Sequence, residues 1–129
     1  MEKYRAGIIG LGWMGLLYDL AERISDRFDV EDVDRPTPAL DLQRKFHYHD
    51  HPGTEGLPST YAEALGDRPE VELVAGADRD PKRLQAFAER YGVEALYTDA
   101  VEMLRHEQLD LVAICTNTRG RTDLTCLAV

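Results

Sequence analysis

Apolar positions along this chain alternate between two rhythms. Residues 4–11 read Tyr-Arg-Ala-Gly-Ile-Ile-Gly-Leu, a short apolar run closed by glycines. A strand covered on both faces of a parallel sheet has this pattern. Over residues 13–28 the spacing turns helical: Leu17, Leu20, Ala21, Ile24 and Phe28 share one face, with Asp19, Glu22, Arg23 and Asp26 elsewhere. The succession returns after residue 70. Residues 71–78 (Val-Glu-Leu-Val-Ala-Gly-Ala-Asp) predict a second buried strand. Asp80 then caps a helix with Pro81 at its first position, Leu84, Phe87, Ala88 and Tyr91 form its inner face, and Gly92 ends it. A third strand is expected at 95–97. The next helix is opened by Asp99 and Glu102 and turns Val101, Met103 and Leu104 inward. A fourth strand at 111–115 and a helical stretch from about 121 to 129 complete the series. Strands alternating with helices predict an α/β fold with a parallel sheet.

The rhythm fails between residues 26 and 60. Asp26, Asp29, Glu31, Asp32 and Asp34 form an acidic stretch, followed by Arg35-Pro36-Thr37-Pro38, a short helix expected over 39–46, and the turn formers Pro52-Gly53 and Gly56-Leu57-Pro58. We read 26–60 as a long insertion in one domain. A structureless loop of that length is uncommon in a compact domain, so it is either functional or partly folded. Ser59 is expected to head a helix to about Leu65, with Glu63 close to the capping-box position.

Gly10-Leu11-Gly12-Trp13-Met14-Gly15 fits G-x-G-x-x-G between the first strand and its helix, the place where that pattern carries chemistry. Gly10 allows a tight turn, Gly12 lets a diphosphate approach the main chain, and Gly15 allows close helix–strand packing. The N–H groups around Trp13, Met14 and Gly15 would bind the diphosphate, helped by the helix dipole. An acid at the end of the second strand is the expected partner for the adenosine ribose hydroxyls, and Asp78 occupies that place. Its distance from the glycines far exceeds the usual ~20 residues. The insertion accounts for most of the excess, because it leaves the strand's place in the sheet unchanged. An ionised Asp78 favours NAD over NADP, while Arg79 could contact a 2′-phosphate and allow dual use. Thr116, Asn117 and Thr118 follow the fourth strand and would line the nicotinamide side of the cleft. Residues of the same kind also serve plain structural ends: a glycine turn, a loop carboxylate at 78, a polar turn capping the last helix.

Composition narrows the partners. The 129 residues carry 24 acidic and 15 Lys+Arg side chains, a formal charge of −9. That balance disfavours a nucleic-acid partner, which would require basic groups on phosphates. There is no apolar run of the ~18 residues needed to span a membrane, and no signal-peptide pattern opens the chain. Two cysteines, Cys115 and Cys126, are too few for a disulfide framework, so a cytoplasmic protein with reduced thiols is expected. His47, His49 and His51 alternate and could converge on one ion from a strand. With no cysteine or second carboxylate cluster nearby, no metal is assigned. Cys115 is expected to pack as a small apolar group, and no spacing assembles a nucleophile, so no catalytic residue is assigned.

With these residues placed, the chain resembles the N-terminal domain of the glucose–fructose oxidoreductase/inositol dehydrogenase family (Gfo/Idh/MocA). The likeness is carried by the glycine motif at 10–15, by 71–80, by Phe87-Ala88-Glu89-Arg90-Tyr91-Gly92-Val93, by Tyr97-Thr98-Asp99 and by residues 109–114. It implies a Rossmann-type, doubly wound parallel sheet with helices on both faces, binding NAD(H) or NADP(H) for hydride transfer to or from a sugar, cyclitol or related substrate. Two departures stand out. The family commonly follows the fourth strand with Thr-Pro and then a His, where this chain has Thr116-Asn117 and, further on, Arg121. The family's Glu-Lys-Pro motif, whose lysine assists proton transfer, and its C-terminal substrate domain lie beyond Val129. The expectation is therefore a cofactor domain ending before its last strands and unable to turn over substrate alone. A stand-alone NAD(P)-sensing module, working through cofactor-dependent association, is the alternative. A methyltransferase using the turn for S-adenosylmethionine is disfavoured by the other matching stretches. A homo-oligomer is left open.

Overall fold

The computed structural model describes residues 2–17, 58 and 60–129. Among these residues four strands, β1 (Tyr4–Ile9), β2 (Val71–Ala77), β3 (Ala95–Tyr97) and β4 (Leu111–Ile114), form one sheet in the order β3-β2-β1-β4. Every pairing in it is parallel. The helices among them are α1 (Tyr61–Gly66), α2 (Pro81–Tyr91), α3 (Ala100–His106) and α4 (Arg121–Ala128), and a π-type turn spans Trp13–Leu17. The rest of the helix expected after Leu17, the acidic stretch, the three alternating histidines and Ser59 lie outside the described residues.

The apolar runs became strands because both sheet faces are covered. Ala6, Gly7, Ile8 and Ile9 are all buried, and neighbours on β1 point to opposite sides. Ile8 packs with Leu11, Leu16, Ala62, Leu84, Phe87 and Val93 under α1 and α2. Ile9 packs with Ala75, Ala77 and Met103 under α3, and Leu124 of α4 joins that side. The register of β1 on β2 shifts between Ala6 and Gly7, so that Val74 is the extra residue. Beyond this bulge Ile9 stands opposite Ala77.

Local signals set the helix ends. Asp80 accepts from the Lys82 N–H (2.9 Å) and Asp99 from the Val101 N–H (2.8 Å). Gly92 closes α2 in the left-handed conformation at φ 69°. One cap differs from the expectation. The first residue outside α1 is Thr60, whose Oγ1 accepts from the Glu63 N–H at 3.1 Å, rather than Ser59. Both carry a hydroxyl, and the oxygen three residues before Glu63 is the one that reaches its amide.

Candidate functional site

In this strand order the chain leaves β1 towards β2 on one side and returns on the other side to β4. The carboxyl ends of β1 and β4 therefore flank a switch point, where open α/β sheets bind ligands. Gly10 follows β1 there. Its N–H donates to the Ala77 carbonyl (2.8 Å), and the Cys115 N–H donates to the Ile9 carbonyl (2.7 Å).

The three motif glycines do different work. Gly10 has φ +90°, and a Cβ on it would lie 2.9 Å from the Cys115 carbonyl carbon and oxygen and 3.0 Å from the Thr116 nitrogen. Gly15 could not carry a Cβ either, since that atom would lie 2.0 Å from the Gly10 carbonyl oxygen. These two let the helical turn fold back against β1 and β4. Gly12 is unlike both: among the described residues the nearest atom within 4 Å of its Cβ position is Nη1 of Arg83, at 3.8 Å. Among the described residues nothing in the packing requires glycine at 12, and its lack of a side chain lets a group approach the main chain. The N–H of Leu16 returns to the Gly12 carbonyl (2.9 Å), closing the turn, with Leu16 buried and Met14 half exposed.

Asp78 reaches this turn despite its distance along the chain. Its Oδ2 accepts from the Leu11 N–H at 2.7 Å and its Oδ1 from the Asp80 N–H at 2.8 Å. One carboxylate thus joins the turn after β1 to the cap of α2, and its side chain is 10% exposed. Two accepted N–H bonds leave lone pairs on both oxygens for further donors. Arg79 beside it is exposed. Thr116 borders Gly10 through its backbone, its hydroxyl donates to the Asn117 carbonyl (3.1 Å), and its own carbonyl accepts from the Arg121 guanidinium. Asn117 and Thr118 are exposed at the start of the segment leading to α4. The structure therefore brings Gly10, Gly12, Gly15, Asp78 and the Thr116 backbone together, with Asn117 and Thr118 further out on the rim.

Arg83 was not anticipated. Its Nε lies 3.5 Å from Asp80 Oδ2 and its Nη1 4.0 Å from Asp78 Oδ2. The available signal was the i, i+3 spacing from Asp80 in the first turn of α2, which puts a long basic side chain back over the cap. Half-buried Cys115 packs against the core around Ile8 and Leu16, as expected of a small apolar group, and burial pushes its thiol up to about 11 against the opposing pull of Arg121. Among the described residues no three His, Cys, Asp or Glu side chains are grouped to hold a metal ion. Nor, among them, is any helix long and apolar enough to cross a membrane.

Residues 53–128 match the oxidoreductase family with the NAD-binding Rossmann fold (GFO_IDH_MocA). The chain belongs to this family. It is 45% identical over 58 residues to D-apiose dehydrogenase of Paraburkholderia graminis, a stretch covering 45% of this chain and 16% of that protein. The fold matches scyllo-inositol dehydrogenase of Lactobacillus casei, solved with NAD(H) and scyllo-inositol, at a TM-score of 0.61 and 16% identity. It also matches myo-inositol 2-dehydrogenase of Lactobacillus plantarum at 0.59 and 23% identity. In both cases 98% of this chain is covered but only 25% of the other, so it spans about a quarter of the length of these structural neighbours. The sheet is accordingly of Rossmann type, and the family's cofactor is NAD.

Proposed function

We propose that these 129 residues are the cofactor-holding part of an NAD-dependent oxidoreductase that moves hydride to or from a sugar, cyclitol or related hydroxylated substrate in the cytoplasm. The observation that carries the reading is the meeting of two features: the open peptide at Gly12, and a carboxylate held 2.7 Å from the amide next to it. N–H groups of Trp13, Met14 and Gly15 would take the diphosphate, and Gly10 and Gly15 keep that turn in place. Asp78 would accept from the adenosine ribose hydroxyls through its remaining lone pairs. The backbone at Thr116, with Asn117 and Thr118, would border the nicotinamide side.

The bound dinucleotide supplies the hydride carrier, and the chain's own residues bind and orient it. Groups that hold the hydroxylated substrate and move its proton would come from sequence corresponding to the remainder of the longer relatives. The inositol and D-apiose dehydrogenases among those relatives support this substrate class.

Calorimetric titration with NADH tests the reading, with S-adenosylmethionine as the control. Trp13, the only tryptophan, lies within the glycine motif, so its emission is a second readout. Binding heat and altered emission with NADH alone support the proposal. No heat and unchanged emission at millimolar NADH would sink it. Hydride transfer to inositol or D-apiose by these 129 residues alone would refute the division of labour.

A further inference from the structure

We propose that Arg121 makes this domain prefer the reduced dinucleotide: its guanidinium stands at the nicotinamide side of the cleft and disfavours the cationic ring of NAD⁺, not the neutral ring of NADH. The inference rests on the dinucleotide reading above and deepens it. Arg121 is the first residue of α4, and Gly120 before it, at φ 77° in the left-handed region, makes no side-chain cap. The backbone N–H of Arg121 turns back to the Thr118 carbonyl (3.4 Å), and its guanidinium donates to the Thr116 carbonyl. That carbonyl is one peptide beyond the Cys115 carbonyl, which lies 2.9 Å from where a Cβ on Gly10 would be. The cation is thereby tied to backbone adjoining the glycine turn, at the carboxyl end of β4.

The charge is not cancelled where it stands. Arg83 lies against two carboxylates, whereas among the described residues Arg121 pairs with none, and its side-chain bond is to a neutral carbonyl. Its field reaches the strand end, where it pulls the Cys115 thiol downward against the effect of burial. An arginine stays protonated throughout the physiological range. NAD⁺ gains a hydride, two electrons with a proton, to become NADH, and its nicotinamide ring loses its positive charge in that step. The two dinucleotides are otherwise alike, so a fixed cation beside the ring separates them by charge. Like charges several ångströms apart at a solvent-exposed site repel by the equivalent of about three- to tenfold in affinity. Tighter NADH raises the potential of the bound couple, by ~30 mV per tenfold for two electrons. Bound NAD⁺ is then a readier hydride acceptor than free NAD⁺, which favours oxidation of the hydroxylated substrate.

The test is calorimetric titration of NADH, NAD⁺ and ADP-ribose into the unaltered chain, Arg121→Gln and Arg121→Lys, with circular dichroism to verify folding. The unaltered chain should bind NADH about tenfold more tightly than NAD⁺. Arg121→Gln should tighten NAD⁺ by about three- to tenfold. It should move NADH, and ADP-ribose, which lacks the ring, by less than about twofold. Arg121→Lys, which keeps the charge, should keep most of the difference between the two dinucleotides. A merely structural role for Arg121 would weaken all these ligands alike, and that result would overturn the inference. An unchanged ratio of NADH to NAD⁺ affinity in Arg121→Gln would overturn it as well, as would an Arg121→Lys chain that behaves like Arg121→Gln. If the unaltered chain binds both dinucleotides equally, the dinucleotide reading survives and the inference fails; if it binds neither, both fail.

Discussion

Gly12→Ala separates a glycine kept for the fold from one kept for a ligand. The backbone at Gly12 is outside the positive-φ region, so alanine fits it without strain. The added methyl would meet Nη1 of Arg83 at 3.8 Å, ordinary contact, with no heavy atom of the other described residues closer. The native state should therefore lose almost nothing. Restricting the unfolded chain should contribute about 0.4–1 kcal/mol in favour of folding. A diphosphate would meet that methyl directly. A phosphate oxygen must come to ~2.9 Å from an N–H to bond it, and the Cβ occupies part of that approach. Losing one charge-assisted bond costs about 1.5–3 kcal/mol, or roughly 10- to 150-fold in dissociation constant. Urea unfolding followed by circular dichroism gives the stability, and NADH calorimetry gives the affinity. The expected pair of results is unchanged or slightly raised stability with sharply weakened NADH binding. Unaltered NADH affinity would refute the assignment of Gly12 to the ligand. A stability loss above about 1 kcal/mol would refute the packing argument.

Gly15→Ala should behave in the opposite way: a Cβ 2.0 Å from the Gly10 carbonyl oxygen pushes backbone on backbone, and urea unfolding should register a loss of about 3 kcal/mol or more. A loss below 1 kcal/mol would mean the turn relaxes at little cost. Asp78→Asn leaves an amide nitrogen facing either the Leu11 or the Asp80 N–H, and should cost about 1.5–3 kcal/mol in the same assay, along with weaker NADH binding. Stability equal to wild type would show that the staple between the two turns is energetically idle. The Cys115 thiol, raised from 9.0 to about 11, carries about 100-fold less thiolate at pH 8 than an unshifted thiol would. Iodoacetamide at pH 8, followed by peptide mass mapping, should label exposed Cys126 well before Cys115. Labelling of Cys115 should then accelerate about tenfold per pH unit up to pH 10, because the raised value keeps it mostly protonated until then. Comparable labelling of both thiols at pH 8 would contradict the burial of Cys115.

Elements whose cause lies within a few residues were legible from the amino acids alone. Asp80 with Pro81, Asp99, and Gly92 act on neighbouring amides and carbonyls, and the apolar runs at 71–77 and 111–114 match strands because both faces of a parallel sheet are covered. Ser59 against Thr60 is the kind of slip such reading makes, since adjacent hydroxyl residues look alike in sequence and only the helix start at Tyr61 makes Thr60 the cap. The glycine motif was legible together with the task of each glycine, but not the atoms that each one meets. Only the fold places Gly15 against the Gly10 carbonyl, Gly10 against Cys115, and Gly12 beside Arg83.

The rest belongs to contacts made across the sheet. Asp78 comes within hydrogen-bonding distance of Leu11 because backbone pairing sets Ile9 opposite Ala77, whatever length of chain lies between them. Arg83 reaches the glycine turn only because α2 and that turn lie on the same side of the sheet. Side-chain identity and spacing thus determined which segments became strands, helices and caps, since those depend on short-range bonding and on periodic burial. Lateral strand order and register decided which charges and which bare peptide face one another, because inter-strand hydrogen bonds are blind to distance along the chain.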